Sequence, residues 1–428
     1  MGNGPDLHSN RETVAVIGSG VSGLTAAYVL QKDRDVTLFE SQPRLGGHAH
    51  THDLTDHSGH PVRVDSGFIV HNRRTYPQLL RLFAELGVAT QESEMSMSVV
   101  CQECNLQYAG GRGAAALLPS TANLRNTRYL RMLLEVKKFH RNAHAELARP
   151  AGELDTLGDF LTDGRYTQYF VDHFILPLVS AVWSCGLTTA RRYPARFLFT
   201  FLEHHGLLSV TGSPVWRTVT GGSATYVALA SKGLTAAHVG VGIREVRRHH
   251  DHVEVRTEDD DVQRFDSVVI ATHPDEALGL LTDPTASETE ILGAIGYSAS
   301  STLLHTDASI LPSNTRARAS WNYLKTACSP VDDQVHLTYD MNRLQRLDTT
   351  TPYLVTLNSP DAVDPSSVIA EMNYSHPEYT PESVAARDRL PELNIGRTAF
   401  AGAYHGWGFH EDGCASGVRA AAALGVDW

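Results

Sequence analysis

The run 13–40, TVAVIGSGVSGLTAAYVLQKDRDVTLFE, narrows the choice of fold more than any other stretch of this chain. Residues 13–17 form a short apolar, β-branched strand pattern. Gly18, Gly20 and Gly23 then fit G-x-G-x-x-G, 24–30 continue as an Ala-rich apolar helix, and 35–39 give a second strand ending on Glu40. Each part suits a dinucleotide. Gly18 permits the tight turn, Gly20 lets backbone approach a pyrophosphate, and Gly23 lets the helix pack on the strand. The N–H groups of Val21 and Ser22 open the helix and offer partial positive charge to phosphate. Glu40 stands where a carboxylate meets ribose hydroxyls. The expected fold is therefore α/β, with a Rossmann-type domain.

The rest of the composition removes alternatives. The 428 residues suffice for two or three domains, and a net charge of −12 argues against a nucleic-acid-binding surface. No apolar run approaches the ~18 residues that cross a bilayer. The first twelve residues lack the apolar core of a signal peptide and read as a disordered leader. Five cysteines, an odd number, suit a reducing cytosol, so a cytoplasmic location is expected.

Directly after Glu40 comes Ser41-Gln-Pro-Arg44-Leu-Gly46-Gly47-His48. Arg44 supplies positive charge and the glycine pair lets backbone come close to a phosphate. With these residues the chain resembles the glutathione-reductase-type flavoproteins, and among them the amine-oxidase and phytoene-desaturase branch. In that branch an R-x-G-G element follows the first βαβ unit, which implies FAD rather than NAD. The resemblance runs from residue 12 to the C-terminus. It implies an FAD domain made of 1–75, 216–297 and 393–428. A mostly helical and β-sheet substrate domain, 76–215 and 298–392, is inserted into it.

Further segments extend the resemblance. Residues 64–70, VDSGFIV, look like a strand re-entering the FAD domain, with Gly67, Phe68, Ile69 and Val70 beside the cofactor. The Gly221-Gly222 pair, with Ser223 as N-cap of the next helix, resembles the family's second return to that domain. Three antiparallel strands follow (244–248, 252–257, 262–265), and then Asp266–Pro274, which resembles the D-x-V-V-x-A-x-P strand and places Ala271 near the cofactor. At the C-terminus, 397–417 read as a strand, a glycine-rich loop from Gly402 and a helix starting near Gly413 that contains Ser416. The family carries an acid after F-A-G for the ribityl chain. Ala403-Tyr404 stands here instead, leaving Glu411 or Asp412 to compensate. The start of the last helix is expected at the edge of the flavin where negative charge gathers on reduction.

The nearest group in this resemblance is a bacterial set of FAD-dependent proteins with segments like GFIV-x-N-x-R-T-Y-P, LLP-x-x-x-A-x-W-S, ASWNY, TLN and GAY-x-G-x-GFHEDG. They are associated with methyltransferases that resemble cyclopropane-fatty-acid synthases. The implied reaction is hydride transfer between flavin N5 and a carbon of an apolar, fatty-acyl-like substrate, such as reduction of a methylene or alkene group. NADPH is a candidate transient electron donor. His405, His410, Tyr404 and Tyr323 are the candidates for polarising the substrate or delivering protons. His71, Trp183, Trp321 and Trp407 are candidates for the substrate pocket. Cys414 and His71 depart from the group, where an aliphatic residue and Phe are expected. Two other readings stay open. One is an O₂-dependent amine oxidase or a desaturase, with Lys325 as the only plausible flavin-proximal lysine. The other is a non-catalytic flavin-bound partner of a methyltransferase.

Three remaining features are weighed on their residues. His48, His50 and His52 alternate and share one face of an extended segment, but no cysteine or carboxylate completes a metal shell. Cys101-x-x-Cys104 lies at the turn of a hairpin expected over 95–108; with no second C-x-x-C, no metal is expected there. A helix over 124–148 carries Arg125, Arg128, Arg131, Lys137, Lys138 and Arg141 against Glu135, alongside Leu130, Leu133, Leu134, Val136 and Phe139. Such a basic amphipathic helix suits anionic lipid at a membrane surface, an acidic carrier or a methyltransferase, or is simply a solvated face. The helical pattern over 157–183 predicts two helices with a kink at Pro177.

Overall fold

The computed structural model describes residues 11–150, 155–209, 212–329 and 333–428, and divides into two compact units. The first ten residues of the expected leader lie outside the described residues. One unit comprises 1–47, 226–293 and 388–428, the other 48–225 and 294–387.

In the first unit β1 (Thr13–Ile17), α1 (Val21–Leu30) and β2 (Asp35–Glu40) follow one another as the residues predict. β1 is the centre of a five-stranded sheet ordered Ala236–Val239, β2, β1, Ser267–Ile270, Thr398–Phe400, with every neighbour parallel. This is the doubly wound order of a dinucleotide fold. Val14, Ala15, Val16, Val268, Val269 and Ile270 are buried, as strands covered on both faces must be. Asp266 anchors the start of β1 by accepting from the N–H of Thr13 (2.8 Å) and from its hydroxyl (2.9 Å). The expected antiparallel strands form as Ile243–Arg248, Val253–Thr257 and Val262–Phe265.

The second unit holds a seven-stranded sheet, with strands in the order Val368–Pro377, Tyr297–His305, Leu354–Leu357, Leu337–Asp340, Trp321–Lys325, Met97–Cys101 and Leu106–Gly110. All pairs are antiparallel except Trp321–Lys325 with Met97–Cys101, which run parallel in register from Trp321 against Met97 to Lys325 against Cys101. Its helices enclose an aromatic core in which Phe139 meets Phe160, Tyr166, Phe170 and Phe199 at centroid distances of 5.5 to 6.1 Å.

Several expected boundaries move. The strand expected over 64–70 ends at Asp65, where Pro61–Asp65 pairs with Thr51–Thr55. Gly67 turns the chain away because its Cα packs under the carbonyl of His48, where a Cβ would come within 2.1 Å of that oxygen. The basic helix spans Thr127–Leu147, after a separate Thr121–Arg125; Asn126 splits them and caps the longer one by accepting from the N–H of Tyr129. Between 157 and 183 the chain forms Leu157–Asp163, Gln168–Phe170, a π-helical turn Val171–Ile175 and Leu176–Trp183. Pro177 follows the π turn directly, and the backbone stays helical through Ile175, so the helix widens just before the residue that has no N–H to donate. The Ser223 hydroxyl donates to Asp65 (2.8 Å), and the N–H of Ala224 donates to Thr51 (2.9 Å). The last helix begins at His410, three residues before the expected Gly413, because Asp412 accepts from the N–H of Phe409 (2.9 Å). Among the described residues, no helix is long and apolar enough to cross a membrane.

Candidate functional site

The turn after β1 is built so that backbone alone faces outward. Gly18 has φ +96°, which favours glycine, and a Cβ there would lie 2.8 Å from the carbonyl oxygen of Ala271. Its N–H donates to Phe39 O (2.8 Å), pinning the turn between β1 and β2. A Cβ on Gly23 would fall 1.9 Å from Gly18 O, so helix and turn touch directly. Gly20 differs. It caps α1 with ordinary extended angles, and among the described residues nothing beyond its chain neighbours lies within 4 Å of where its Cβ would be. Space is therefore open above the helix start, where Val21, Ser22 and Gly23 have N–H groups without helical acceptors and no acidic side chain occupies the first turn.

Glu40 is buried at the end of β2. One carboxylate oxygen accepts from Ser19 N–H (3.0 Å) and Ser19 Oγ (2.5 Å), the other from Gln42 N–H (2.8 Å). Gly46 donates to Ser19 Oγ (3.0 Å), and Gly47 packs so that its Cβ would meet Gly20 Cα at 3.1 Å. The segment Ser41-to-Gly47, including half-buried Arg44, is thereby folded onto the glycine turn.

The C-terminal element is joined to the same place. Gly402 N–H donates to Ser416 Oγ (2.9 Å), whose hydroxyl donates to Gly413 O (2.7 Å). A Cβ on Gly413 would lie 2.6 Å from Val21, and one on Gly417 would lie 2.3 Å from Ser22 O. The starts of α1 and of His410–Ala423 consequently adjoin, and their positive dipole ends reinforce each other. Asp412 is held by its capping bond, Glu411 shares the first turn, and His410 bonds Tyr226 Oη through Nε2 (3.1 Å).

Two buried polar atoms in the loop between strand and helix, Tyr404 Oη and His405 Nε2, have no hydrogen-bond partner among the described residues. Burial pushes His405 down to about 3, with the charge of Arg419 adding to the effect, and pushes Tyr404 above the usual phenol range. At neutral pH the imidazole is therefore neutral and the phenol protonated. Half-buried Trp407 lies in the same loop. Cys414 is fully buried against α1, with Thr25 Oγ1 at 3.5 Å; burial raises its thiol strongly, which makes it a poor nucleophile. An orphaned buried polar atom costs about 1–3 kcal/mol. Two of them, beside an open glycine cradle and two helix starts, fit a large polar anionic dinucleotide.

The second unit holds the other sequence candidates. Phe68 N–H donates to His48 O (2.7 Å), and the His48 ring lies against Tyr374 and His376, with centroids at 4.7 and 5.4 Å. His50 bonds Tyr374 Oη (3.0 Å) and His52 bonds Ser66 Oγ (2.9 Å), so the alternating histidines serve a polar network. Ile69 is core, with Val62, Val64, Leu304, Met341 and Tyr353; Val70 and Trp321 pack against that cluster. His71 is fully buried beside the rings of Phe68, Tyr76 and Phe83, and burial pushes it to about 4. Trp183 packs between Tyr193 and Phe201 in the helical core, and Tyr323 is buried in its strand. Lys325 is buried at the end of the same strand, close enough to Asp172 and His173 for its charge to act on both.

Asp65 was not singled out in the sequence. It accepts from Thr51 Oγ1 (2.6 Å), Ser223 N–H and Oγ, and Gln345 Nε2 (3.0 Å), and burial pushes it up to about 6. Its partners lie up to 280 residues away, so no local pattern marks it.

Set beside known proteins, residues 21–308 match the family described as flavin containing amine oxidoreductase. The chain belongs to this family. Its cofactor is FAD, as for the family and its structural neighbours. A coproporphyrinogen III oxidase of Mycobacterium tuberculosis is 26% identical over 228 residues, which cover 48% of this chain and 47% of the relative. The chain thus spans about half the length, or less, of the curated relatives it matches. Among solved structures, a putrescine oxidase superposes with TM-score 0.67 at 15% identity, covering 97% of this chain and 99% of the other. A CLA-producing fatty acid isomerase from P. acnes superposes with TM-score 0.65 at 15% identity, covering 95% and 97%. Both are likenesses of fold.

Proposed function

We propose that this chain is an FAD-dependent oxidoreductase that exchanges hydride with a carbon of an apolar, fatty-acyl-like substrate. The observation that carries this reading is the loop 402–409. It presents a neutral imidazole and a protonated phenol at the joined starts of two helices, and places no carboxylate or lysine among its buried groups. Such a setting favours uncharged substrate, with both groups held in one protonation state near pH 7.

In this reading the N–H groups of Val21, Ser22 and Gly23, together with Arg44, Gly46 and Gly47, hold the diphosphate. Glu40 takes the ribose hydroxyls. Gly402, Gly413 and Ser416 shape the floor under the ring system, where the helix starts stabilise negative charge. FAD bound there supplies two-electron chemistry. Tyr404 holds a proton at its hydroxyl, and His405 accepts a hydrogen bond at Nε2 or donates one in the other tautomer. The fatty acid isomerase among the fold neighbours is compatible with an acyl substrate. So is the basic helix: Leu130 (36% exposed) and Leu134 (68% exposed) stand on it among Arg128, Arg131 and Lys137, which suits contact with an anionic lipid surface.

The test is anaerobic stopped-flow absorbance of the purified flavoprotein mixed with NADPH, NADH and simple amines in turn. Bleaching by a nicotinamide, followed by reoxidation with an unsaturated acyl acceptor, is the expected result. Bleaching by an amine alone, with recovery in air, overturns it in favour of an oxidase. Inertness toward every donor, with tight co-purification of a methyltransferase, overturns it in favour of a non-catalytic role.

A further inference from the structure

Within the second unit, the fold gathers four metal-binding side chains from three distant segments. Cys101 ends one strand of the hairpin Met97–Cys101/Leu106–Gly110, and Cys104 lies in its turn, which Asn105 closes with φ +54°. The parallel neighbour Trp321–Lys325 finishes level with Cys101, so the chain just beyond Lys325 returns Cys328 to within 3.7 Å of it, sulfur to sulfur. The π-helical turn Val171–Ile175 supplies His173, whose Nε2 is 3.7 Å from Cys104 Sγ. All four donor atoms lie within 4.8 Å of one another.

We propose that Cys101, Cys104, Cys328 and His173 bind one zinc ion in a closed Cys₃His site. Zinc bonds of ~2.3 Å to sulfur and ~2.0–2.1 Å to nitrogen, set tetrahedrally, require S···S separations of ~3.8 Å and S···N separations of ~3.6 Å. The two observed spacings fall at those edges. A disulfide would instead need sulfurs ~2.05 Å apart, and the cysteines are free.

The surroundings suit the ion as well as the donors do. His173 Nδ1 faces Tyr169 O at 3.1 Å; donating there leaves the Nε2 lone pair directed at the sulfurs, the arrangement that orients zinc-bound histidines. The ring is stacked on Tyr169 (4.1 Å), and Tyr108 Oη clamps the His173 carbonyl at 2.7 Å. Gln102 N–H donates to Lys325 O (2.9 Å) and Cys328 N–H to Glu103 (2.8 Å), which fixes the two cysteine segments against each other. Three thiolates on Zn²⁺ leave one net negative charge, and buried Lys325 stands beside it as counter-charge. On binding, the three thiols release their protons to solvent. With four protein ligands and no open position, the ion is structural: it ties the hairpin tip to the helical segment. A C-x-x-C alone carries little weight; a cysteine 224 residues later and a histidine on a π turn complete the set.

The experiment uses the full-length flavoprotein purified without chelator or affinity metal. About one zinc per chain is expected by elemental analysis. Replacing zinc by Co²⁺ is expected to give the visible bands and thiolate charge-transfer absorption of a tetrahedral sulfur-rich site. The double variant C104S/C328S is expected to lose the zinc while keeping its flavin absorbance per chain. Absence of zinc and of the Co²⁺ bands in the parent overturns the proposal. So does a Cys101–Cys328 disulfide found by non-reducing peptide mapping. Zinc retained by the double variant also overturns it, and would point to His249, His252 and Glu254 instead. Should the double variant not fold, the Co²⁺ spectrum of the parent decides alone.

Discussion

Gly20→Ser separates a glycine needed by the fold from one needed by the cofactor. Gly20 has φ −60° and ψ 175°, angles open to any residue, and among the described residues no atom beyond its chain neighbours lies within 4 Å of its Cβ position. Serine is a favoured helix N-cap, so the empty protein should keep its stability to within about 0.5 kcal/mol or gain slightly. The new hydroxyl, however, accepts from the N–H of Ser22 or Gly23, the groups assigned to the diphosphate. Losing one hydrogen bond to a charged partner costs about 1.5–3 kcal/mol. At 1.4 kcal/mol per decade, FAD should bind about 10- to 150-fold more weakly. The assay is titration of flavin-stripped protein with FAD, read by quenching of flavin fluorescence, with thermal melting of the stripped protein as control. Unchanged affinity for FAD would refute the placement of the diphosphate. A collapsed melting temperature would refute the claim that the space is open.

Gly417→Ala should act oppositely, since its Cβ would lie 2.3 Å from Ser22 O and 2.9 Å from Ala26 N; urea unfolding is expected to show a loss of about 1–3 kcal/mol. Burial pushes His71, His205 and His305 to about 4. The unfolded chain takes up their protons below ~6.5, so their contribution is complete above that pH and is lost toward pH 4, by up to about 1.4 kcal/mol per pH unit for each group. Asp65, pushed up to about 6, opposes this, because its contribution is present below ~3.8 and fades as pH rises through 6. The melting temperature should therefore fall between pH 7 and 4.5, and His71→Phe should flatten that fall. Leu130→Glu with Leu134→Glu, at exposed positions, should leave melting unchanged and reduce co-sedimentation with phosphatidylglycerol vesicles.

What could be read from the sequence was whatever a local pattern encodes. The βαβ unit around Gly18, Gly20 and Gly23 was legible because strand period, glycine spacing and the terminal Glu40 all lie within 28 residues. The hairpin at Cys101 was legible for the same reason. The π turn at Val171–Ile175 was not, since no composition rule marks one extra residue in a helix. The start of the last helix moved to His410 because a capping carboxylate, Asp412, outweighs the glycine expected to open it. The groupings of Asp65 with Ser223 and Gln345, and of Cys101 with Cys328 and His173, depend on pairings across hundreds of residues. Only the register of Trp321–Lys325 on Met97–Cys101 makes the second of these visible.

The most direct test of the flavin site is a crystal structure of the holoprotein. Density is expected for the diphosphate over the N–H groups of Val21–Gly23, for ribose at Glu40, and for the ring system between residues 402–405 and the start of His410–Ala423. Flavin density away from the glycine turn, or a side chain filling the space above Gly20, would contradict it.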